Sequence, residues 1–387
     1  MRNCLFLNMA KINKPGVLLP PAVGYSLHIL LALIWKNKIS PRYYLRVLIL
    51  VLINLINWPF RSYERLFINP RIKKTKLEEA PIFIIGHWRS GTTHLHNLMC
   101  QDPQMAYTTT YQVVFPDTFL NHLGSFIFKS FTRLLIPGRR KGDSVVLDTE
   151  YPQEEEFATG DKTPLCFYYW WMFPSKIMEY YEEKIRFKQI KPKLLESWKE
   201  DYLLLMKKAI YQSKKKIFIS KNPPNTGRLT ELLQMFPKAR FIHIHRNPVE
   251  VILSTWNFYD KMLPPLQLQS IDREKLNTQV LEIYTKIMGD FMKQKKQIPK
   301  EQLLEVAFDD LEKTPMALLK KIYDDFEFDH FEKAAPHFKT YIEKNKHYKK
   351  NTHYIKKSLL NDLQNKCGFV MEEYRYSIPI HLEVNDV

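Results

Sequence analysis

Residues 86–93 read Gly-His-Trp-Arg-Ser-Gly-Thr-Thr, directly after the apolar stretch Pro81-Ile82-Phe83-Ile84-Ile85 and ahead of an apolar-periodic helix from Leu95 to Met99. Strand, glycine loop and helix in that order make an anion cradle. Backbone N–H groups and the positive end of the helix dipole converge on one point, which suits a phosphate. Up to the second glycine the spacing is that of a Walker A loop. Thr92 then stands where a nucleoside triphosphatase carries its phosphate lysine, and the nearest cation, Arg89, precedes Gly91. The loop therefore predicts a phosphorylated donor held without the γ-phosphate and Mg²⁺ arrangement of a triphosphatase. Histidines and acids lack metal-ligand spacing, so no metal is expected.

A second anion signal lies about 155 residues on. The strand Arg240-Phe241-Ile242-His243-Ile244-His245 runs into Arg246-Asn247-Pro248, and Ser254 follows two turns into the next helix. An arginine at a strand's carboxyl end and a serine on the following helix can grip one phosphate from two sides, one with a fixed donor fork and the other with a short hydroxyl.

The elements that must position these groups alternate. After the loop helix comes an aromatic- and proline-rich insert over 104–175, including Tyr168-Tyr169-Trp170-Trp171, read as irregular or short-helical and suited to an apolar pocket. A helix is predicted over 190–213, a buried strand from Ile217 to Ser220 ending at Lys221, and a helix from Leu229 to Met235. The strand from Arg240 follows, then helices Val249–Trp256 and about Leu276–Lys296, a strand Leu303–Phe308, and a basic helical tail. Such alternation implies an α/β fold: a P-loop-like parallel sheet flanked by helices, with its site at the carboxyl ends of the strands.

Residues 1–80 differ in character. They hold 13 Lys and Arg against three acids, a net charge of +10, with apolar runs Leu27–Trp35 and Val47–Ile56. Neither run reaches the roughly 18–20 residues that span a bilayer, and no signal peptide is expected. Two readings fit: an interfacial helical pair facing anionic headgroups, or a helical extension packed on the core. The chain divides accordingly into a basic, apolar extension (1–78) and a catalytic unit (79–387). Net charge over all 387 residues is +17. This suits an anionic cofactor or membrane surface, and no zinc-finger spacing, RNP motif or heptad array supports nucleic acid. Cys4, Cys100, Cys166 and Cys367 are scattered and read as reduced thiols on the cytoplasmic side.

With both anion motifs in place, the chain resembles sulfotransferases that use 3′-phosphoadenosine 5′-phosphosulfate (PAPS), above all bacterial members with a basic, apolar N-terminal extension. His87-Trp88-Arg89-Ser90-Gly91-Thr92-Thr93 is similar to their 5′-phosphosulfate loop, and Arg246-Asn247-Pro248 with Ser254 to their 3′-phosphate motif. Lys221-Asn222-Pro223-Pro224-Asn225-Thr226-Gly227-Arg228 resembles the segment between, and Phe236–Arg240 and Phe308–Leu311 are similar to further family segments; the resemblance covers roughly 80–325. It implies PAPS as donor, 3′-phosphoadenosine 5′-phosphate (PAP) as product, and no metal. Arg89 occupies the position of a catalytic lysine in many members, keeping its charge but unable to give up a proton. Ser90, Gly91, Thr92 and Thr93 are implied on the 5′-phosphate, Arg246 and Ser254 on the 3′-phosphate, and Lys221 on the sulfuryl group. His94 falls where an aromatic often covers the adenine; a helix-surface histidine is the plain alternative.

Transfer to an alcohol also needs a base within hydrogen-bond reach of the attacking hydroxyl. Relatives often carry a histidine two or four residues after the lysine; here those positions are Pro223 and Asn225. The replacement indicated is Glu154, in the acidic run Tyr151-Pro152-Gln153-Glu154-Glu155-Glu156-Phe157, if desolvation lifts its pKa. An exposed helix start with dipole-favoured acids is the other reading, and Glu156 and His245 are the next bases to consider. The aromatic insert and the extension favour a lipophilic acceptor, sterol or steroid first, for an enzyme that is cytoplasmic or peripheral on the inner membrane face. A carbohydrate hydroxyl is the substrate alternative, and a nucleotide-binding protein without sulfuryl transfer the non-enzymatic one.

Overall fold

The computed structural model describes residues 21–136, 138, 148–345, 354–379 and 382–385. Five parallel strands form one sheet: β1 (Ile82–Ile85), β2 (Met105–Ala106), β3 (Ile217–Lys221), β4 (Arg240–His245) and β5 (Leu303–Ala307). Their order is β2-β3-β1-β4-β5, so β1 is central, with Ile82 opposite both Ile219 of β3 and Arg240 of β4. A separate parallel pair joins β6 (Tyr354–Lys356) to β7 (Glu383–Asn385).

Successive strand side chains point to opposite faces, and each face has its own core. Phe83, Ile85, Phe218 and Phe241 pack with the aromatic insert and with Trp198, Tyr202 and Leu205 of the helix Pro192–Ser213. Ile82, Ile84, Ile219, Ile242 and Ile244 pack against Leu95, Leu98 and Met99 of the helix Thr92–Met99 and against Leu318, Leu319 and Ile322. Two covered faces explain why these strands read as unbroken apolar runs.

The four longer strands stand where expected, and the helices Pro192–Ser213, Leu229–Met235, Pro248–Met262 and Arg273–Gln294 follow the predicted segments, the third with an added turn and a half. The two-residue β2 is additional. The insert resolves into short pieces: helices Thr110–Val114, His122–Leu135 and Glu155–Lys162, then a 3₁₀ run Phe167–Trp171. The first apolar run forms the helix Leu27–Lys36. The second lies inside the longer helix Tyr44–Tyr63, which continues through a π turn Glu64–Ile68 into Asn69–Lys73. This helical stretch is long and apolar enough to cross a membrane by length and composition, unlike the run itself. The extension also packs on the catalytic unit: Arg61 pairs with Asp161 (2.6 Å), and Glu64 with Lys208 (2.5 Å). Cys100, Cys166 and Cys367 are buried free thiols; Cys4 lies outside the described residues.

Candidate active site

The loop after β1 is shaped by two glycines that no other residue could replace without movement. Gly86 has φ +140° and Gly91 φ +104°; an added Cβ would stand 2.5 Å from the Ile244 carbonyl oxygen at the first and 2.3 Å from Phe308 Cδ2 at the second. Between them Arg89 also holds a positive φ, +70°. The loop is braced from outside, since the Gly86 N–H donates to Thr226 Oγ1 (2.8 Å) and that hydroxyl donates to the Gly86 carbonyl (3.2 Å). Ser90 braces it from within: its hydroxyl (2.7 Å) and its N–H (3.2 Å) both donate to the His87 carbonyl. Thr92 and Thr93 open the helix, where first-turn N–H groups have no intrahelical acceptor. His94, in the same turn, is half-buried, and burial lowers its pKa despite the nearby Glu312.

The two anion motifs meet. Arg89 Nε donates to Ser254 Oγ at 3.1 Å, and its guanidinium lies 5.2 Å from the Phe258 ring centroid on the same helix. Arg246 leaves the end of β4, pairs with Glu250 one turn on (3.0 Å), and sits over Phe308, 4.6 Å from the ring centroid. Asn247 caps the helix by accepting the Val249 N–H (3.1 Å).

On the other side of β1, Lys221 ends β3 with its ammonium buried against Glu154. The other Glu154 oxygen accepts from the Tyr168 hydroxyl, which itself accepts from Trp88 Nε1 at 2.8 Å. Glu154 thus stands at a helix start, as one reading had it, but its side chain is buried and paired with Lys221 and Tyr168 rather than exposed or capping the helix. Its neighbours take other partners. Glu155 accepts from Ser220 Oγ (2.9 Å), and burial pushes its pKa up to about 8. Glu156 is gripped by both Arg228 terminal nitrogens (2.6 and 3.0 Å), Asn222 Nδ2 (3.0 Å) and the Phe167 N–H (2.5 Å). With four donors on two oxygens it is a buried structural anchor, so it drops behind Glu154 as a candidate base. His245 stacks on Tyr374 (3.8 Å), with Nδ1 2.8 Å from the Tyr376 hydroxyl; burial pulls its pKa down to about 3.

Sequence reasoning missed two contributors. Trp88 and Tyr168 link the donor loop to Glu154; the aromatic cluster had been read only as pocket lining. The tail returns to the end of β4, where Tyr376 meets His245 and the Ser377 carbonyl accepts from Asn247 Nδ2 (2.6 Å). No local pattern announces a contact 130 residues away. Behind the loop lies a small cavity, room for about one water, lined by His87, Trp88, Phe167, Trp170, Thr255 and Tyr259, among others. Burial lowers the His87 pKa to about 4, which leaves that wall uncharged at neutral pH. Among the described residues no group of His, Cys, Asp and Glu could hold a metal ion.

This architecture is shared. The protein is 27% identical over 363 residues to the omega-hydroxy-beta-dihydromenaquinone-9 sulfotransferase Stf3 of Mycobacterium tuberculosis, over 92% of this chain and 91% of the relative. The crystal structure of sulfotransferase STF9 from Mycobacterium avium superposes with a TM-score of 0.65 at 15% identity, covering 94% of this chain and 98% of that one. That of STF1 from Mycobacterium tuberculosis gives 0.60 at 18% identity, over 81% and 85%. At such identities the two structures speak for the fold. The profile of the Sulfotransferase family matches residues 81–333, the span holding the glycine loop, the acidic run, Lys221 and the arginine–serine pair. The chain therefore belongs to the sulfotransferase family, as a PAPS-dependent enzyme.

Proposed function

We propose that this enzyme moves the sulfuryl group of PAPS to a hydroxyl of a lipophilic acceptor, with Glu154 as general base. The chain of contacts Trp88–Tyr168–Glu154–Lys221 carries this reading, because it ties the donor loop to a buried, ion-paired carboxylate. The residues fit the donor. Two glycines let the loop pack closely on Ile244 and Phe308, and the helix it opens presents first-turn N–H groups to an anion. Arg246 and Ser254 read the 3′-phosphate, while Thr92, Thr93 and the loop backbone, braced by Ser90 and shaped by Gly91, read the 5′-phosphate. His94 borders the adenine. When bound, the donor supplies an activated sulfuryl group.

The protein's part is then positioning and charge. Glu154 takes the hydroxyl proton as the acceptor oxygen bonds to sulfur and the sulfur–phosphate oxygen bond breaks. Protonation neutralises Glu154 and releases the Lys221 ammonium toward the charge arising on the leaving phosphate; Arg89 supplies a second fixed cation there. Tyr168 and Trp88 hold the carboxylate in its rotamer.

The acceptor reading draws on the relative named for an omega-hydroxylated dihydromenaquinone. That relative's name puts a chain-terminal hydroxyl beside the sterol as an acceptor to test. The extension 1–78 is the part we assign to the inner membrane surface, where such an alcohol resides. The deciding experiment offers PAPS with an ω-hydroxylated isoprenoid quinone, long-chain alcohols, sterols and sugars, and reads added sulfate by mass spectrometry. Sulfate on the chain-end alcohols is expected; sulfate on sugars alone would overturn the lipophilic assignment.

A further inference from the structure

The helix Tyr44–Tyr63 is amphipathic in the inverted sense. Its buried stripe, continued into the π turn, is Leu50, Asn54, Asn57, Arg61 and Glu64, spaced by alternate fours and threes as one helical face. Four of these five are polar or charged, and three of them hydrogen-bond or ion-pair with the protein. Asn54 donates to the Ala22 carbonyl (2.9 Å), Arg61 donates to the Tyr25 carbonyl (2.7 Å) and pairs with Asp161, and Glu64 accepts the N–H groups of Leu120 and Asn121 (2.9 Å each). The outward face is apolar: Leu45, Leu48, Leu52, Leu55, Ile56 and Trp58 are all exposed.

Two neighbours extend that face. The helix Leu27–Lys36 exposes Leu31 and Trp35. The helix His122–Leu135, from within the catalytic unit, exposes Leu123, Phe126, Ile127 and Leu134. It packs on the long helix through Phe60 and Phe128 (ring centroids 5.6 Å apart) and through Gly124, where a Cβ would stand 3.3 Å from Phe60 Cβ. Among the described residues, seventeen of the twenty exposed large hydrophobic side chains lie on these three helices and the π turn. The exposed charge carried by these helices is basic, with Glu200 and Glu150 of other segments pairing Lys73 and Lys129. Lys36, Lys38 and Arg42 are exposed at one end, Arg71, Lys73, Lys74 and Lys76 at the other, and Arg133 on the third helix. Between Lys36 and Glu78 the one acid is Glu64, which is buried, and 122–135 holds none.

We propose that these three helices form a monotopic docking face that lies in one leaflet of an anionic bilayer, with the helix of the catalytic unit as its third member. It deepens the lipophilic-acceptor reading by giving the acceptor's phase a fixed contact with the enzyme. An apolar surface rimmed by cations matches acyl chains rimmed by anionic headgroups. A spanning arrangement of Tyr44–Tyr63 would draw Arg61 and Glu64 away from Asp161 and Lys208 into hydrocarbon, whereas lying flat keeps both pairs.

The test floats the full-length protein with vesicles of phosphatidylcholine, alone or mixed with phosphatidylglycerol, without donor or acceptor, so its outcome is independent of sulfuryl transfer. Binding is expected mainly to the anionic vesicles and to weaken with salt. Leu48→Glu/Leu52→Glu and, separately, Leu123→Glu/Phe126→Glu should each reduce binding at least tenfold with an unchanged melting temperature, since these side chains are already exposed. Wild-type flotation of the Leu123/Phe126 variant would remove the third helix from the proposal. Vesicle binding unaffected by either pair, with a dimer turned to monomer, would assign the face to a second copy of the chain. Retention in membranes after an alkaline carbonate wash would overturn the monotopic arrangement.

Discussion

Three adjacent glutamates divide their work by partner. Glu154 goes to Lys221 and Tyr168, Glu155 to Ser220, and Glu156 to Arg228 and Asn222. The sequence marked the triplet as unusual in a basic chain, and the loss of the expected histidine at Pro223 and Asn225 directed attention to it. Which of the three faces the reaction was not legible, because each side chain's direction depends on a strand some 65 residues later. If Glu154 is the base, Glu154→Gln should cut kcat by about 10²–10⁴-fold while PAP still raises the melting temperature as in the parent. Tyr168→Phe removes the bond that orients Glu154 and leaves Trp88 Nε1 without its acceptor; a smaller fall in kcat than for Glu154→Gln is expected. Equal turnover by parent and Glu154→Gln in a steady-state assay would move the base elsewhere, with His245 next to test.

Strands and helices were read well where burial is continuous. β1 and most of β3 are apolar runs because both sheet faces are covered there, whereas the edge strand β5 is mostly half-buried and carries Glu305. β2 has only two residues and no pattern of its own. The long N-terminal helix misleads in a more instructive way. Asn54, Asn57, Arg61 and Glu64 look like a solvent stripe, yet they face the protein. The helix that begins at Glu155 carries a consequence for pH dependence. Burial holds the Glu155 proton to about pH 8, whereas an unfolded glutamate releases it near its ordinary value of 4.5. The folded state then binds more protons across that window, so this group's contribution to stability falls as pH rises from about 4.5 to 8. Glu155→Gln should flatten the decline and raise the melting temperature most at pH 8. A thermal-shift series across that range, with the two proteins running parallel, would show that Glu155 titrates normally.

At the scale of the whole molecule, the extension and the catalytic unit are joined by buried charge. Arg65, Lys162 and Lys208 converge on Asp117, Arg61 reaches Asp161, and Glu64 reaches Lys208. Removing one member leaves the others buried without their counter-charge, at a cost of about 3–5 kcal/mol. Glu64→Ala should lose close to the lower figure, since Lys208 keeps Asp117. Urea unfolding reads this directly, and a loss under about 1 kcal/mol would mean that the two parts are not coupled through this pair. The same arrangement dictates an order of events during synthesis. Glu64 leaves the ribosome about 144 residues before Lys208, a lag of roughly 7–30 s at 5–20 residues per second. Throughout that interval the Glu64–Lys208 anchor of this apolar helix cannot form, although Asp117 and Asp161 emerge earlier. The most apolar exposed surface of the molecule is therefore synthesised before the sheet against which it is held.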